Sequence, residues 1–315
     1  MTKIISTPEA LLTTYRDNIL DCSYYGSVYL AKKGSIYFSK GLKPENHFFM
    51  RSLAKPLQAS IICDYNIIND FKLKDSELAI MTASHSGSPK HIEILKTLLK
   101  KFKIKLSILE LVPILPLDMR KFSGKPTKLH NNCSGKHIMM VLMCKYLGFN
   151  ISGYTNENHP LQKLIKSKQE ELSGEYNGAL SYDGCTTPLW SISAKGIIKA
   201  YFNLLSNEKY SKIIKPAIKY PDIFGGYDRT DSEIIKLSKG NLYSKVGANG
   251  FLIVCNINKD EILLLKLTQN NNPIRKLIAL DLLNKLGWLK HKSEQYEYNQ
   301  KRYPVAKYCY EINLK

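Results

Sequence analysis

The order of strand-like and helix-like segments is the strongest constraint on the fold of this chain. Alternating apolar and small residues predict a β-hairpin near the N-terminus from Ser23–Leu30 and Ser35–Phe38. Near the C-terminus, strands are predicted over Leu242–Val246, Phe251–Ile257 and Ile262–Leu267. Because helical periodicity dominates between these two groups, we expect an α+β fold. Its N- and C-terminal strands would form one antiparallel sheet with helices packed on it.

Apolar residues at helical spacing, in several cases with Pro in the first turn, predict the helices. These helices are Ser52–Asn66, Lys74–Met81, Pro89–Phe102, Ser134–Leu147, Pro160–Leu172, Pro188–Leu205, Lys209–Ile218, Ser232–Leu237 and Pro273–Leu286. No internal repeat or linker-like stretch divides the 315 residues. We therefore predict one composite domain over residues 1–315.

The sequence also indicates a cellular compartment. No apolar run reaches the length of a membrane span, and the first residues lack the pattern of a signal peptide. The seven cysteines are scattered, without a CxxC pair, which favours a reducing compartment over a disulfide framework. We expect a cytoplasmic protein with no membrane partner.

The chain is strongly basic, with a formal net charge of +19 at pH 7. Such a charge is compatible with nucleic-acid binding. However, all but six of the 46 basic residues are lysines, and they are spread along the whole chain. A nucleic-acid site typically clusters Arg and aromatic side chains on one face. We interpret the charge as a compositional bias and expect no nucleic-acid partner.

Two short segments place hydroxyl groups where catalysis is possible. In Arg51-Ser52-Leu53-Ala54-Lys55-Pro56 the serine and the lysine are three residues apart, which puts them on one helical face. A serine nucleophile needs a nearby base of this kind. The segment Ser84-His85-Ser86-Gly87 interrupts two predicted helices and can present a side chain or backbone N–H groups. Each segment alone is more typical of a helix cap or a surface loop.

Two further segments carry ligating groups directly before predicted helices. Asn132-Cys133-Ser134-Gly135-Lys136-His137 lines a helix start that suits a carboxylate. Asp183-Gly184-Cys185 is the second segment. Cys133 and Cys185 are able to share a soft metal such as zinc, although two core cysteines are the default interpretation.

The last candidate segment, Lys245-Val246-Gly247-Ala248-Asn249-Gly250, leads into the C-terminal hairpin. The second strand of that hairpin contains Lys266, which leucines flank on both sides. Strand alternation alone favours a solvent-facing Lys266. An inward orientation would require a functional reason.

Together these segments resemble, in the same order, the L-asparaginase II family of the Rhizobium etli type (class 3 L-asparaginases). That family shows R-S-x-x-K-P, S-H-S-G, H-N-C-S-G-K-H, D-G-C, G-A-x-G and a strand lysine. The matching segments are Arg51–Pro56, Ser84–Gly87, Asn132–His137, Asp183–Cys185, Gly247–Gly250 and Lys266. The resemblance runs from Ser23 to Leu286, which is most of the chain.

The resemblance implies a fold similar to serine β-lactamases and glutaminases, and a homodimer that hydrolyses L-asparagine to L-aspartate and ammonia. It implies two catalytic pairs, Ser52 with Lys55 and Ser84 with Lys266. It also implies a zinc site, formed by Cys133, Lys136 and Cys185. The substrate-binding residues it implies are Arg51, His85, Asn132, His137, Asp183, Gly247 and Asn249. Among these, Asp183 would bind the α-ammonium group of the substrate.

The chemistry of these residues leaves the nucleophile open. One serine would attack the side-chain amide carbon with its lysine as base, and backbone N–H groups would stabilise the oxyanion. The S-x-x-K spacing favours Ser52 as nucleophile. The glycine-containing loop keeps Ser84 as a candidate, with the other serine relaying protons.

The chain departs from the family pattern at four places, which are Ser88, Thr186-Thr187, Asn249 and Gln269–Asn272. Because the serines, lysines and cysteines are retained, we expect an active enzyme whose substrate preference and turnover differ. Three alternatives stay open: a related amidohydrolase acting on glutamine or a β-lactam, a zinc-dependent hydrolase, and a catalytically weakened binding protein.

Overall fold

The computed structural model of the protein describes residues 6–314. The strands are β1 (Glu9–Arg16), β2 (Ile19–Lys32), β3 (Ser35–Lys40), β4 (His47–Phe49), β5 (Leu180–Tyr182), β6 (Pro188–Ser193), β7 (Leu242–Gly247), β8 (Phe251–Asn256), β9 (Glu261–Leu267), β10 (Tyr296–Tyr298) and β11 (Pro304–Tyr310). The α-helices are α1 (Ala54–Asp64), α2 (Ile67–Asp70), α3 (Asp75–Met81), α4 (Pro89–Lys101), α5 (Ser134–Leu147), α6 (Pro160–Ser173), α7 (Ala194–Ser206), α8 (Ser211–Lys219), α9 (Pro221–Phe224), α10 (Thr230–Leu237) and α11 (Asn272–Lys285). Short 3-10 helices cover Arg51–Leu53, Leu106–Ile108, Lys128–His130 and Glu208–Tyr210.

Strands from both ends of the chain form one sheet in the order β10-β11-β1-β2-β9-β8-β7, with β3 also paired to β2. Every pairing within it is antiparallel. The N-terminal strand β2 pairs directly with the C-terminal strand β9, where Val28 lies opposite Leu265 and Tyr29 opposite Leu264. The predicted α+β fold with a shared antiparallel sheet is therefore confirmed.

Helices cover both faces of this sheet. Along β2, Val28 and Leu30 enter the hydrophobic cluster that contains α11, whereas Tyr29 and Ala31 enter the cluster that contains the central helices. Strands β7 and β8 are buried along their whole length. A polar side chain on these two strands is consequently removed from bulk water on either face. Among the described residues, no helix combines the length and the apolar character needed to span a membrane.

The predicted helices are found within a few residues of their expected bounds, except for Pro188–Leu205. There, Pro188–Ser193 forms strand β6, antiparallel to β4 and β5, and α7 begins only at Ala194. The Ser193 hydroxyl caps α7 by accepting a hydrogen bond from the Gly196 N–H. The predicted helix start was wrong because an apolar strand that runs directly into an apolar helix shows no break in hydrophobicity.

Helices α3 and α5 approach closely at Gly135. A Cβ atom at this position would lie 2.1 Å from the Ile80 carbonyl oxygen, which belongs to the backbone of α3. We expect Gly135→Ala to lower the free energy of unfolding by roughly 3 kcal/mol through overpacking. Urea denaturation measures this loss. The control is Gly184→Ala, where a Cβ atom would meet nothing within 4 Å; a loss of equal size in that variant would contradict the packing argument.

Candidate active site

Ser84 lies between two buried lysines. It follows the C-terminal end of α3 and is 2% exposed. Its Oγ is 3.1 Å from Lys55 Nζ on α1 and 2.9 Å from Lys245 Nζ on β7. Three separate elements therefore bring one hydroxyl and two amines into contact, away from bulk water.

Lys55 uses all three of its donors. Besides Ser84 Oγ, the amine donates hydrogen bonds to the Ala83 carbonyl at 2.6 Å and to the Asn132 carbonyl at 3.1 Å. An ammonium group has three donors and no acceptor. This arrangement fits a charged Lys55 that donates to the serine oxygen and stabilises negative charge there.

Lys245 has the environment of a base. It is fully buried, donates to the Val246 carbonyl at 2.9 Å, and lies 3.6 Å from the Asp231 carboxylate. Burial lowers the pKa of Lys245 to about 7; Asp231 opposes this shift and Lys55 reinforces it. A large share of Lys245 is therefore neutral near pH 7 and able to accept the Ser84 proton.

The predicted pairs, Ser52 with Lys55 and Ser84 with Lys266, are not the contacts found. Ser84 contacts Lys55 and Lys245. The Lys266 amine instead donates to the carbonyls of Asn249 at 2.7 Å and Leu267 at 2.5 Å. Lys266 lies at the β7–β8 turn because β9 places it directly opposite Phe251. Its Nζ is 5.2 Å from the centre of the Phe251 ring. Burial lowers the pKa of Lys266 to about 8.

Ser52 lies in the 3-10 turn ahead of α1 and is 8% exposed. Within the described part of the chain, no hydrogen bond joins its hydroxyl to Lys55 or to another side chain. The reason is that the Lys55 side chain extends towards Ser84. Ser52 and Ser84 nevertheless face the same cavity.

This cavity has a volume of about 170 Å³, the size of a small metabolite. Of the predicted substrate-binding residues, Asn132 and Gly247 line it. Four polar lining residues, Arg229, Asn270, Asn272 and Arg275, had no predicted role. The full lining consists of Ser52, Ser84, Leu117, Asn132, Arg229, Val246, Gly247, Ala248, Asn270, Asn272 and Arg275.

The other five residues predicted to bind substrate do not line the cavity, and three of them are His85, His137 and Asn249. His85 is buried and holds its own loop together, because its Nδ1 accepts from the Gly87 N–H and its Nε2 lies 2.8 Å from Ser134 Oγ. His137 is buried with Nδ1 2.7 Å from the Tyr154 hydroxyl. Asn249 is exposed at the β7–β8 turn. Burial lowers the pKa of His137 to about 4, so its ring is neutral.

A cluster of thiols lies at the start of α5. The ligand atoms of Cys133, Asp183 and Cys185 are all within 4.8 Å of one another. Lys136 Nζ is 2.9 Å from Cys185 Sγ and 2.7 Å from Thr187 Oγ1. The hydrogen bond with Cys133 and the charge of Lys136 lower the pKa of Cys185 well below its usual value, against the effect of burial. A thiolate here favours metal binding.

Arg51 and Asp183 form an ion pair of 2.7 Å between Arg51 Nε and Asp183 Oδ1. Arg51 adopts a positive φ of 52°, which L-residues rarely take. The Asp183 side chain also accepts from the Gly184 N–H. Both predicted substrate-binding residues are thus engaged with each other, beside the thiol cluster and outside the cavity lining.

Comparison with known proteins identifies the family. The sequence profile described as L-asparaginase II matches residues 12–309 of the chain. The chain belongs to the L-asparaginase II family. It is accordingly an amidohydrolase, and the family resemblance predicted from the motifs is confirmed. A search of curated proteins found no match for this member of the L-asparaginase II family.

Solved structures similar to this L-asparaginase II family member include a β-lactamase from Mycobacterium bovis and a penicillin-binding protein from Bacillus halodurans. The first is 10% identical, with a TM-score of 0.42, and the match covers 84% of this chain and 95% of the other. The second is 13% identical, with a TM-score of 0.43, and the match covers 82% of this chain and 96% of the other.

Sequence reasoning missed Lys245 and Asp231. Lys245 belonged to a recognised segment but received no role. Strand alternation could have indicated that Lys245 faces the protein interior. It lies on the same face of β7 as Tyr243, which packs against the central helices. Asp231 lies in α10, in a segment with no motif, and no pattern in the sequence links it to a site.

Proposed function

We propose that this enzyme hydrolyses L-asparagine to L-aspartate and ammonia with Ser84 as the nucleophile. One observation carries the assignment: Ser84 Oγ lies within hydrogen-bond distance of two buried amines, at 3.1 and 2.9 Å, beside a small cavity. A nucleophile paired with a base of shifted pKa is the usual arrangement for covalent amide hydrolysis. The 170 Å³ cavity fits an amino acid better than a peptide.

The proposed reaction has two half-reactions. In the first, neutral Lys245 takes the Ser84 proton while the Ser84 oxygen bonds to the side-chain amide carbon. Lys55 stabilises the negative charge that develops. Lys245 then returns the proton to the leaving nitrogen, the C–N bond breaks and ammonia departs. In the second, Lys245 deprotonates a water molecule that attacks the acyl-enzyme, and its proton returns to Ser84 Oγ as aspartate leaves.

Ser52 supports the reaction without acting as nucleophile in this proposal. Its hydroxyl lines the cavity and has no hydrogen-bond partner within residues 6–314, so it would be able to donate a hydrogen bond to the bound amide. Lys266 has its amine bonded to two carbonyls at the neighbouring turn, and we assign it no proton transfer. The proposed catalytic group therefore consists of Ser84, Lys55 and Lys245, with Ser52 in support.

We propose that the thiol cluster binds zinc. Two sulfur ligands with a nearby amine and carboxylate fit a tetrahedral zinc site, and the Lys136 amine already lies 2.9 Å from a thiol sulfur. The residues that would hold the ion are Cys133, Cys185 and Asp183, with Lys136 as a further ligand once its amine has given up its proton. Bound zinc would supply a fixed positive charge near the substrate.

Metal analysis tests the zinc proposal independently of catalysis. The purified protein is expected to contain about one zinc per chain, and Cys185→Ser is expected to lose most of it, since removing a thiolate ligand weakens structural zinc binding strongly. Cys255→Ser is the matched control, because Cys255 is buried on β8 outside the cluster. Equal zinc content in both variants would reject the site.

Ammonia release from L-asparagine and L-glutamine tests the substrate. Glutamine is longer by one methylene, which changes binding by about 1–3 kcal/mol; the small cavity favours asparagine. Release from glutamine alone would reassign the substrate, and release from neither would reject the proposed reaction.

We further propose a cytoplasmic homodimer. Sedimentation of the purified protein would test the dimer, and fractionation of cells would test the location.

A further inference from the structure

Two arginines line the cavity without an anionic partner. Arg275 is 3% exposed and donates from Nη1 to the carbonyls of Gly247 at 3.1 Å and Phe251 at 3.2 Å. Its Nε is buried and unpartnered, as is Nε of Arg229. Within residues 6–314, no carboxylate comes within 4.0 Å of either guanidinium group.

The buried charges around the cavity do not balance. Even with Lys245 neutral, Lys55, Arg275 and the partly exposed Arg229 face a single buried carboxylate among the described residues, Asp231. That carboxylate is already used, because it lies 3.6 Å from Lys245 Nζ and accepts from the Val246 N–H at 3.1 Å. A buried charge without a counter-ion is unfavourable. An anionic ligand would therefore supply the missing counter-charge and lower the electrostatic free energy of the buried cations.

The position of Arg275 also favours the binding of an anionic ligand. It lies in the first turn of α11, and Asn272 from the same turn also lines the cavity. The N-terminus of a helix carries partial positive charge and attracts carboxylates. Arg51, the arginine that the sequence suggested for substrate binding, is instead paired with Asp183.

We propose that Arg229 and Arg275 bind the α-carboxylate of the substrate, so that the enzyme selects amides of free amino acids. The proposal rests on the proposed function. It places the carboxylate at the arginine side of the cavity while the side-chain amide reaches Ser84. Both groups act on substrate recognition and neither takes part in proton transfer.

The test compares two substrates that differ only in the α-carboxylate, L-asparagine and L-asparagine amide. Arg229→Gln is expected to raise KM for L-asparagine by about 10- to 100-fold, the usual effect of losing a charged hydrogen bond. KM for the amide is expected to change less than about threefold, since the amide lacks the charge. The control is Arg120→Gln, which removes an exposed arginine outside the cavity lining that is paired with Asp118 at 2.8 Å.

Binding of L-aspartate measured by calorimetry completes the test because it needs no turnover. Weaker binding in Arg229→Gln by about tenfold or more, with unchanged binding of aspartic acid α-amide, supports the carboxylate site. An unchanged KM for L-asparagine together with unchanged aspartate binding overturns it. If the wild type releases no ammonia from L-asparagine, the proposed function fails, and the aspartate binding comparison alone decides the arginine site.

Discussion

Ser84→Ala is expected to lower kcat/KM for L-asparagine by at least about 10⁴-fold, because removing the nucleophile of a covalent hydrolase leaves only residual catalysis. The fold should persist, since Lys55 keeps its hydrogen bonds to two backbone carbonyls. Steady-state ammonia release measures the loss. Circular dichroism and the thermal midpoint establish that the variant is folded.

Two serine variants make this expectation specific. Ser60→Ala removes a buried hydroxyl from α1 that donates to the Leu57 carbonyl within its own helix, and activity should stay within about twofold. Ser52→Ala is expected to cost roughly 10- to 100-fold, the effect of one lost hydrogen bond to the reacting group. A reversed order, with Ser52→Ala inactive and Ser84→Ala active, would assign the nucleophile to Ser52.

The sheet could be predicted in outline because its central strands show clear patterns. β2, β3 and β7–β9 have alternating or continuous apolar residues, bounded by turn residues. The strands β1, β10 and β11 were missed. β10 is exposed along its whole length, and β11 is buried mainly at Ala306, so neither carries a strong period. The pairing of β11 with β1 depends on contacts between the two ends of the chain, which local patterns do not encode.

The site could be predicted as a set of residues but not as a set of contacts. Ser84 was identified from its segment, yet its partners lie 29 and 161 residues away along the chain. Lys245 and Lys266 are both strand lysines beside the same turn. Which of them reaches Ser84 depends on how β7 and β9 sit against α3, and residue spacing carries no such information.

The departures from the family pattern have different consequences in the structure. Asn249 is exposed at the β7–β8 turn, outside the cavity lining. Asn270 and Asn272 do line the cavity, although both are largely exposed. Substitutions in the 269–272 segment therefore bear on substrate preference more directly than Asn249 does.

The pH dependence of kcat/KM should report the ionisation of Lys245. The neutral amine is the active form and burial lowers its pKa to about 7. Below that pH the amine is protonated, so log kcat/KM should rise with unit slope as pH increases and level off above about pH 8. Lys245→Met is expected to lose about 10²- to 10⁴-fold in rate and the acidic limb with it.

The Asp231→Asn variant tests whether Lys245 is the base or has only a structural role. The Asp231 carboxylate, 3.6 Å from Lys245 Nζ, raises the pKa of that amine. Removing its charge should lower the pKa further, so the midpoint of the acidic limb should move to lower pH by roughly one unit. Glu77→Gln, a buried carboxylate paired with Lys101, should leave the midpoint in place. A midpoint that stays fixed in a folded Asp231→Asn variant would mean that another group supplies the base, because the loss of the charge beside Lys245 must change the pKa of that amine.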